Sequence, residues 1–263
     1  MLNQNILEEI QKQDYDTIQN KIGSFLVEEI SQRQAFGVVF GLSGGIDSAV
    51  IAVLCSKFLK SKLLALIMPD SKVTPKIDTE DAIKLVDKFG IEYKLIDIGF
   101  INKEYSKYLE PNPFAYGNLS ARIRANILYY YANAKKYLVL GSSDKSEFLI
   151  GYFTKFGDGA ADLLPIASLY KTQIRQFAKF LGIPDSMISK KSSPGLWEGH
   201  IAEVEIGLSY EEIDLILHCL SDKNFSIQET VSFAGIDNSS VDKIYKMYKN
   251  NEHKRITPKI CQI

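Results

Sequence analysis

Six consecutive residues, Ser43-Gly44-Gly45-Ile46-Asp47-Ser48, bring two hydroxyls, two glycines and a carboxylate together. Glycines let a main chain approach phosphate oxygens, because no Cβ intervenes. Ser43 and Ser48 can donate to the same oxygens. Just upstream, Phe36 to Gly41 is an apolar run long enough for one buried strand. Downstream, Ala49 to Leu59 is almost wholly apolar and free of Gly and Pro, which predicts a buried helix. Strand, Gly-rich turn and helix start together form an anion site, with free N–H groups and about half a positive charge from the helix dipole. Asp47 repels phosphate in such a site unless a cation bridges the two, which implies Mg²⁺. The string is neither a Walker A loop nor a GxGxxG fingerprint. It also fits G-x-S-x-G, with Ser43 as a hydrolase nucleophile. That reading is weaker, since only one strand precedes the turn and no His-Gly-Gly oxyanion motif is present.

Four further stretches carry chemistry. Tyr116 to Arg124 opens a helix reaching about Lys135. Arg122 and Arg124 are two apart and face different ways, so one can grip substrate while the other makes structural bonds; spacing does not say which. Gly141-Ser142-Ser143-Asp144-Lys145-Ser146-Glu147 lies where a strand gives way to a helix, the place where α/β sheets bind ligands, so Glu147 is a candidate second metal ligand. A glutamate that merely satisfies the helix dipole is the plainer reading. Gly151 to Pro165 mixes glycines, aspartates and Lys155 into an aromatic run, a composition suited to a loop shaped round a ligand. Lys171 then opens a helix from which it can reach a phosphate. Ser192 to His200 surrounds the only Trp and reads as a mobile loop with a solvated His200. Glu252-His253-Lys254-Arg255 is a charge cluster whose plainest reading is a solvated tail.

The elements that must position these residues alternate. Residues 1 to 13 are polar and read as frayed. An amphipathic helix is expected over about 14 to 31, then the loop strand and its helix. Leu63 to Met68, Ile91 to Ile98 and Tyr137 to Gly141 are three further strands, and Asp78 to Phe89 is a helix with Asp78 as N-cap and Gly90 as its stop. Strand–helix alternation predicts an α/β protein with a doubly wound parallel sheet flanked by helices. From about 205 onward the sequence reads as a helical C-terminal region, with Tyr210 to Leu220 and Ser239 to Lys249 the clearest helices. The expected organisation is a single domain over 1–263, with a nucleotide-binding core at about 14–190 and the helical part at about 205–263.

The 263 residues, 46% apolar and 24% charged, suit an ordinary globular protein. A net charge of -1 gives no signal for nucleic acid or a membrane surface. No apolar run approaches a membrane span and no signal-peptide pattern is present. Cys55, Cys219 and Cys261 are scattered, without CxxC, as in a reduced cytoplasmic protein.

The loop Gly41-Leu42-Ser43-Gly44-Gly45-Ile46-Asp47-Ser48 resembles that of the N-type ATP pyrophosphatases. The wider pattern, covering about 36 to 260, resembles ammonia-dependent NAD synthetase: Asn118 to Arg124, Thr154 to Pro165, Ser192 to Leu196, Gly207 to Asp214 and Glu252 to Arg255 fall in the family's order. The resemblance implies an adenine-nucleotide alpha hydrolase-like, Rossmann-like fold. It implies ATP-dependent amidation of deamido-NAD with ammonia through a carboxyl-adenylate, the last step of NAD biosynthesis. It assigns ATP to Gly41, Leu42, Ser43, Gly44, Gly45, Ile46, Asp47, Ser48, Ser142, Lys171 and Ser193, and Mg²⁺ to Asp47 and Glu147. It assigns deamido-NAD to Arg122, Lys155, Asp162, His253 and Lys254, choosing Arg122 over Arg124. Asp47 and Lys171 are the implied catalytic residues, with Asp158 as a proton acceptor for ammonium. The family is homodimeric. With no glutaminase domain expected in this length, ammonia should be free or delivered by a separate glutaminase. Two departures stand out: Ala202 replaces an acidic residue, and Pro194 replaces Ala. Another ATP pyrophosphatase acting on tRNA would need a basic face and paired cysteines, against a pI near 6.3. An adenine-nucleotide sensor that lost its chemistry has only the Ala202 region in its favour.

Overall fold

The computed structural model describes residues 2–262. The chain begins with α1 (Gln4–Gln11) and α2 (Tyr15–Gln32), then β1 (Gly37–Gly41), α3 (Ile46–Leu59), β2 (Leu63–Ile67), α4 (Lys76–Phe89), β3 (Tyr93–Leu95), α5 (Gly99–Tyr105), α6 (Pro113–Lys135) and β4 (Tyr137–Leu140). There follow α7 (Lys145–Ile150), α8 (Lys171–Phe180), α9 (Asp185–Ile188), α10 (Ala202–Ile206), α11 (Tyr210–Leu217), α12 (Ile227–Ala234) and α13 (Asn238–Asn250). A π-helical turn, His218–Asp222, continues α11, and a 3₁₀ turn, Glu252–Lys254, follows α13.

The four strands form one parallel sheet in the order β3-β2-β1-β4. The chain therefore starts at the centre, winds outward through β2 and β3, and returns to the other side of β1. The crevice outside the carboxyl ends of β1 and β4 is the point where winding reverses, and that is where open α/β sheets take ligands. Both faces are covered. Val38 and Phe40 point into a core built with α2, α3, α4 and α8, while Val39, Leu64, Leu66 and Val139 meet Ile98, Ile123 and Ala132 on the α5–α6 side. The doubly wound expectation holds. The third strand is shorter than expected, because as an exposed edge it pairs only with β2.

A separate core joins α10 to α13 with Ile150 and Tyr170. The N-terminal stretch, expected to be frayed, contributes to it; Met1 lies outside the described residues. α1 buries Leu7 and Ile10, Asn3 donates to Phe233 and Ala234 carbonyls, and Gln173 donates through Nε2 to the Ile10 carbonyl at 2.9 Å. Asp78 does not cap α4. That helix starts at Lys76 after Pro75, which puts Asp78 inside the first turn, where it pairs with Lys190 at 2.7 Å. No described helix is long and apolar enough to cross a membrane.

Candidate active site

Three chain segments leave the sheet at its reversal point. After β1, buried Leu42 leads into Ser43. The Ser43 N–H donates to Ser48 Oγ at 3.2 Å, the two hydroxyls lie 3.1 Å apart, and the Gly45 N–H donates to Ser43 Oγ at 3.2 Å. The serines thus tie the loop into a closed turn, and the Ser43 hydroxyl bonds within it rather than to a histidine. Gly45 is the N-cap of α3 and offers no side chain. The orphan donors of the first turn are therefore left for an anion. Gly44 has φ +81°, and a Cβ there would lie 2.1 Å from the Asp78 carbonyl oxygen. Lys190 donates to that same neighbourhood, at 2.7 Å from Asp78, 2.8 Å from Asp81 and 3.3 Å from the Gly44 carbonyl.

The second segment follows β4. Gly141 and half-buried Ser142 lead to Asp144, the N-cap of α7, whose Oδ1 accepts the Glu147 N–H at 2.9 Å. The third is the start of α8, where Lys171 is completely buried. Its ammonium lies 2.7 Å from Asp47, 2.6 Å from Asp144 and 3.0 Å from Glu147. Sequence reasoning placed Asp47, Glu147 and Lys171 here and missed Asp144. The available signal was an acidic N-cap three residues before a glutamate.

Three carboxylates face one ammonium, so the cluster carries surplus negative charge. Burial, and then the neighbouring Asp144 and Asp47 carboxylates, push Glu147 up to about 8 against the pull of Lys171. Burial raises Asp47 as well. Burial alone would lower Lys171, but Asp144, Asp47 and Glu147 hold it well above its ordinary value. The three carboxylates offer oxygens within 4.8 Å of one another. Asp47 Oδ1 is buried without a hydrogen-bond partner, and Asp144 Oδ2 meets Lys171 without hydrogen-bond alignment. Orphaned carboxylate oxygens beside an open helix start are the donor set a hard divalent cation takes.

The substrate-loop candidates form a second group. Arg122 is exposed and donates to the Lys155 carbonyl at 3.3 Å, whereas Arg124 is partly buried and donates to the Met68 carbonyl at 2.9 Å. Lys155 Nζ reaches the His253 carbonyl at 2.7 Å, and Lys254 Nζ bonds the Gly151 and Phe153 carbonyls at 2.6 and 3.0 Å. The Glu252–Arg255 stretch is therefore clamped to the 149–155 loop rather than being a solvated tail. Asp158 accepts the Thr154 N–H at 2.9 Å; surrounding protein raises its carboxyl, and Thr154 and Lys254 pull it back. Asp162 accepts the Val139 N–H at 2.7 Å and so fixes the loop to β4. Ser193 is exposed on the 189–201 loop, accepting the Gly195 N–H at 3.1 Å. Leu196 of that loop packs on α6, where a Cβ at Gly117 would come within 2.7 Å of it. His200 is not solvated: it stacks on Trp197 with ring centroids 3.6 Å apart, and its Nε2 lies 2.7 Å from Glu205.

Behind the cluster sits Asp214, fully buried. It accepts from the Ser146 hydroxyl and, at 2.8 Å, from the Thr172 N–H. Burial pushes it up to about 7. Its folded-state value lies above the unfolded one, so the unfolded chain ionises first as pH rises from about 4 to 7. Stability from this group should fall as pH rises across that window and level off above it. Thermal midpoints of wild type and Asp214→Asn from pH 4 to 8 check this: the wild-type slope should exceed that of the variant, and parallel curves would refute it.

A family model described as NAD synthase matches residues 18–258. The NH(3)-dependent NAD(+) synthetase of Staphylothermus marinus is 48% identical over 254 residues, covering 94% of this chain and 91% of that protein. The structure of NMN synthetase from Francisella tularensis superposes with a TM-score of 0.84 at 31% identity, over 96% of this chain and all 100% of that one. NH3-dependent NAD synthetase from Campylobacter jejuni, in complex with nitrate, gives 0.82 at 34% identity over 95% of this chain and 100% of that one. With a Gly-rich loop, an acidic cluster and a buried lysine at the reversal point of the sheet, the chain belongs to the NAD synthase family.

Proposed function

We infer that the chain is an ammonia-dependent NAD synthetase that amidates deamido-NAD with ATP, giving NAD, AMP and pyrophosphate. The observation that carries this is the Asp47–Asp144–Glu147–Lys171 cluster beside the uncapped start of α3, in a chain 48% identical to a protein of that name. A carboxylate resists ammonia because oxide would have to leave. The nicotinate carboxylate oxygen therefore bonds the α-phosphorus of ATP while the bond to the β-phosphate oxygen breaks, and that oxygen keeps the electron pair. Ammonia then bonds the acyl carbon, AMP departs with the pair of the C–O bond, and the nitrogen loses one proton to leave the amide. No enzyme nucleophile takes part.

The chain's own residues position and neutralise. Ser43, Ser48 and the first N–H groups of α3 hold the departing pyrophosphate. Lys171 supplies a fixed positive charge, and buried walls keep water from the anhydride. Asp47, Asp144 and Glu147 would hold Mg²⁺, which supplies charge neutralisation on the phosphates. Arg122, Lys155, His253 and Lys254 border the dinucleotide side, and Asp158 beside them is the acceptor for a proton of ammonium. The exposed aromatics Phe100, Tyr105, Tyr108 and Phe114 on and before α6 support a homodimer.

The similar structure from Francisella tularensis is that of an NMN synthetase, which favours a second reading in which the mononucleotide is amidated. Pyrophosphate and AMP release should be measured with deamido-NAD or nicotinate mononucleotide, each with ammonium or glutamine. Release that requires deamido-NAD and ammonium is the expected result. Faster turnover of the mononucleotide would replace the substrate assignment, and glutamine use without added glutaminase would replace the nitrogen donor.

A further inference from the structure

Helix α11 presents two side chains to the back of the acidic cluster. It begins with a capping box: the Glu212 N–H donates to Ser209 Oγ at 3.3 Å, and the Ser209 N–H donates to Glu212 at 2.8 Å. That start fixes the rotation of the helix, and residues four apart then share a face. Tyr210 and Asp214 are such a pair, and both are fully buried.

We propose that Tyr210 and Asp214 are positioning residues for the amidation, Tyr210 by fixing the Glu147 carboxylate and Asp214 by locking the starts of α7 and α8 together. The proposal rests on the synthetase reading above. The Tyr210 hydroxyl donates to Glu147 Oε1 at 3.0 Å, the same oxygen that takes the Lys171 ammonium at 3.0 Å. Its ring lies 5.1 Å from the Lys171 Nζ, walling off the cation on that side. A tyrosine needed only for packing would have no reason to aim its hydroxyl at this carboxylate.

Asp214 is a buried carboxyl for which no described lysine, arginine or histidine provides an ion pair. Burial of such a group is unfavourable unless its hydrogen bonds are made, and here every partner belongs to the site. Ser146, between Asp144 and Glu147 in sequence, donates its hydroxyl to Asp214 while accepting the Lys171 N–H at 2.9 Å. The Thr172 N–H completes the set at 2.8 Å. One carboxyl therefore ties the helix start that carries two of the acids to the helix start that carries the lysine. That tie, with the Lys145 N–H bond to the Leu169 carbonyl at 2.8 Å, braces the two segments whose side chains lie 2.6 to 3.0 Å apart in the cluster.

The decisive variant is Tyr210→Phe, which removes one oxygen and keeps the ring. Mn²⁺ binding with a non-hydrolysable ATP analogue, followed by electron paramagnetic resonance, should weaken roughly 10- to 100-fold. In steady state kcat should fall by a similar factor, with KM for deamido-NAD unchanged. Wild-type Mn²⁺ affinity together with wild-type kcat would overturn the Tyr210 assignment. For the second residue, Asp214→Asn should lower kcat with KM for deamido-NAD unchanged, and wild-type kcat in a folded Asp214→Asn would overturn it. Where Asp214→Asn does not fold, Ser146→Ala opens the same tie, with the same expected and overturning results. If wild type itself forms no NAD, the synthetase reading fails, while the Mn²⁺ titration of Tyr210→Phe still decides whether the carboxylate is positioned from α11.

Discussion

Lys171→Met should all but stop NAD formation, with kcat down by roughly 10²- to 10³-fold. The ammonium is the one positive charge among Asp47, Asp144 and Glu147, at 2.6 to 3.0 Å from each. Methionine matches its length but leaves three carboxylates uncompensated around a site that must also take phosphates. Breaking a buried pair by removing one partner destabilises by about 3–5 kcal/mol, so the variant should also melt earlier. Millimolar Mg²⁺ should recover part of that melting loss, since a cation can neutralise the acids, yet turnover should stay low because the fixed charge at the leaving pyrophosphate is gone. Lys171→Arg should fare little better: a planar guanidinium cannot occupy a pocket shaped round a compact ammonium. Stopped assays for AMP with calorimetric melts on the same samples give both numbers, and a Lys171→Met enzyme within tenfold of wild type would remove the lysine from the mechanism.

Gly44→Ala should be nearly as damaging, by a route that involves no functional group. At φ +81° an L side chain is strained by roughly 1–2 kcal/mol. The greater obstacle is the Asp78 carbonyl, 2.1 Å from the new methyl carbon. Backbone cannot rotate aside as a side chain would, and Lys190 braces it by bonding Asp78, Asp81 and the Gly44 carbonyl at once. The loop must move away from α4, carrying the uncapped N–H groups at the start of α3 out of place. Roughly 10²-fold loss in kcat/KM for ATP is expected, with a folded protein by circular dichroism. Gly45→Ala provides the contrast. Its φ is -86° and the nearest atom to a Cβ is the Ser43 hydroxyl at 3.3 Å, so a small hydroxyl shift accommodates it. Equal effects at the two glycines would mean that the backbone clash is not what matters.

The Gly-rich turn, the parallel sheet and the place of the lysine were legible because each is local: a six-residue pattern, four short apolar runs, and a helix start. What escaped depends on contacts between distant parts of the chain. Asp144 drew no role from the sequence; the fold shows one oxygen capping α7 and the second turned to Lys171. Lys190 drew no reading from the sequence; the fold brings α4 and the Gly-rich loop to it. His200 lacked any helical or strand pattern and so read as solvated, whereas stacking on Trp197 and pairing with Glu205 bury it. Tyr210 and Asp214 sit on an apolar helix where period alone marks them as core, and period carries no information about what a hydroxyl or carboxyl inside that core touches. α1 was missed for the same reason: a short helix among polar residues is stabilised by the partner it packs on, not by its own propensity.

The docking of α1 has a bearing on when the enzyme comes into being. Its Ile10 carbonyl is held by Gln173, 163 residues away, and Asn3 reaches Phe233 across 230. Closing loops of that length is slow, and such pairings form after local ones. α11, whose Tyr210 ring lies 5.1 Å from the Lys171 Nζ, likewise emerges after the sheet and the Gly-rich loop have been synthesised. The strands of the sheet are therefore all synthesised before the helix that contacts Lys171 and Glu147. The contact of Tyr210 with Glu147 forms only once α11 has been made, 63 residues after the carboxylate it touches.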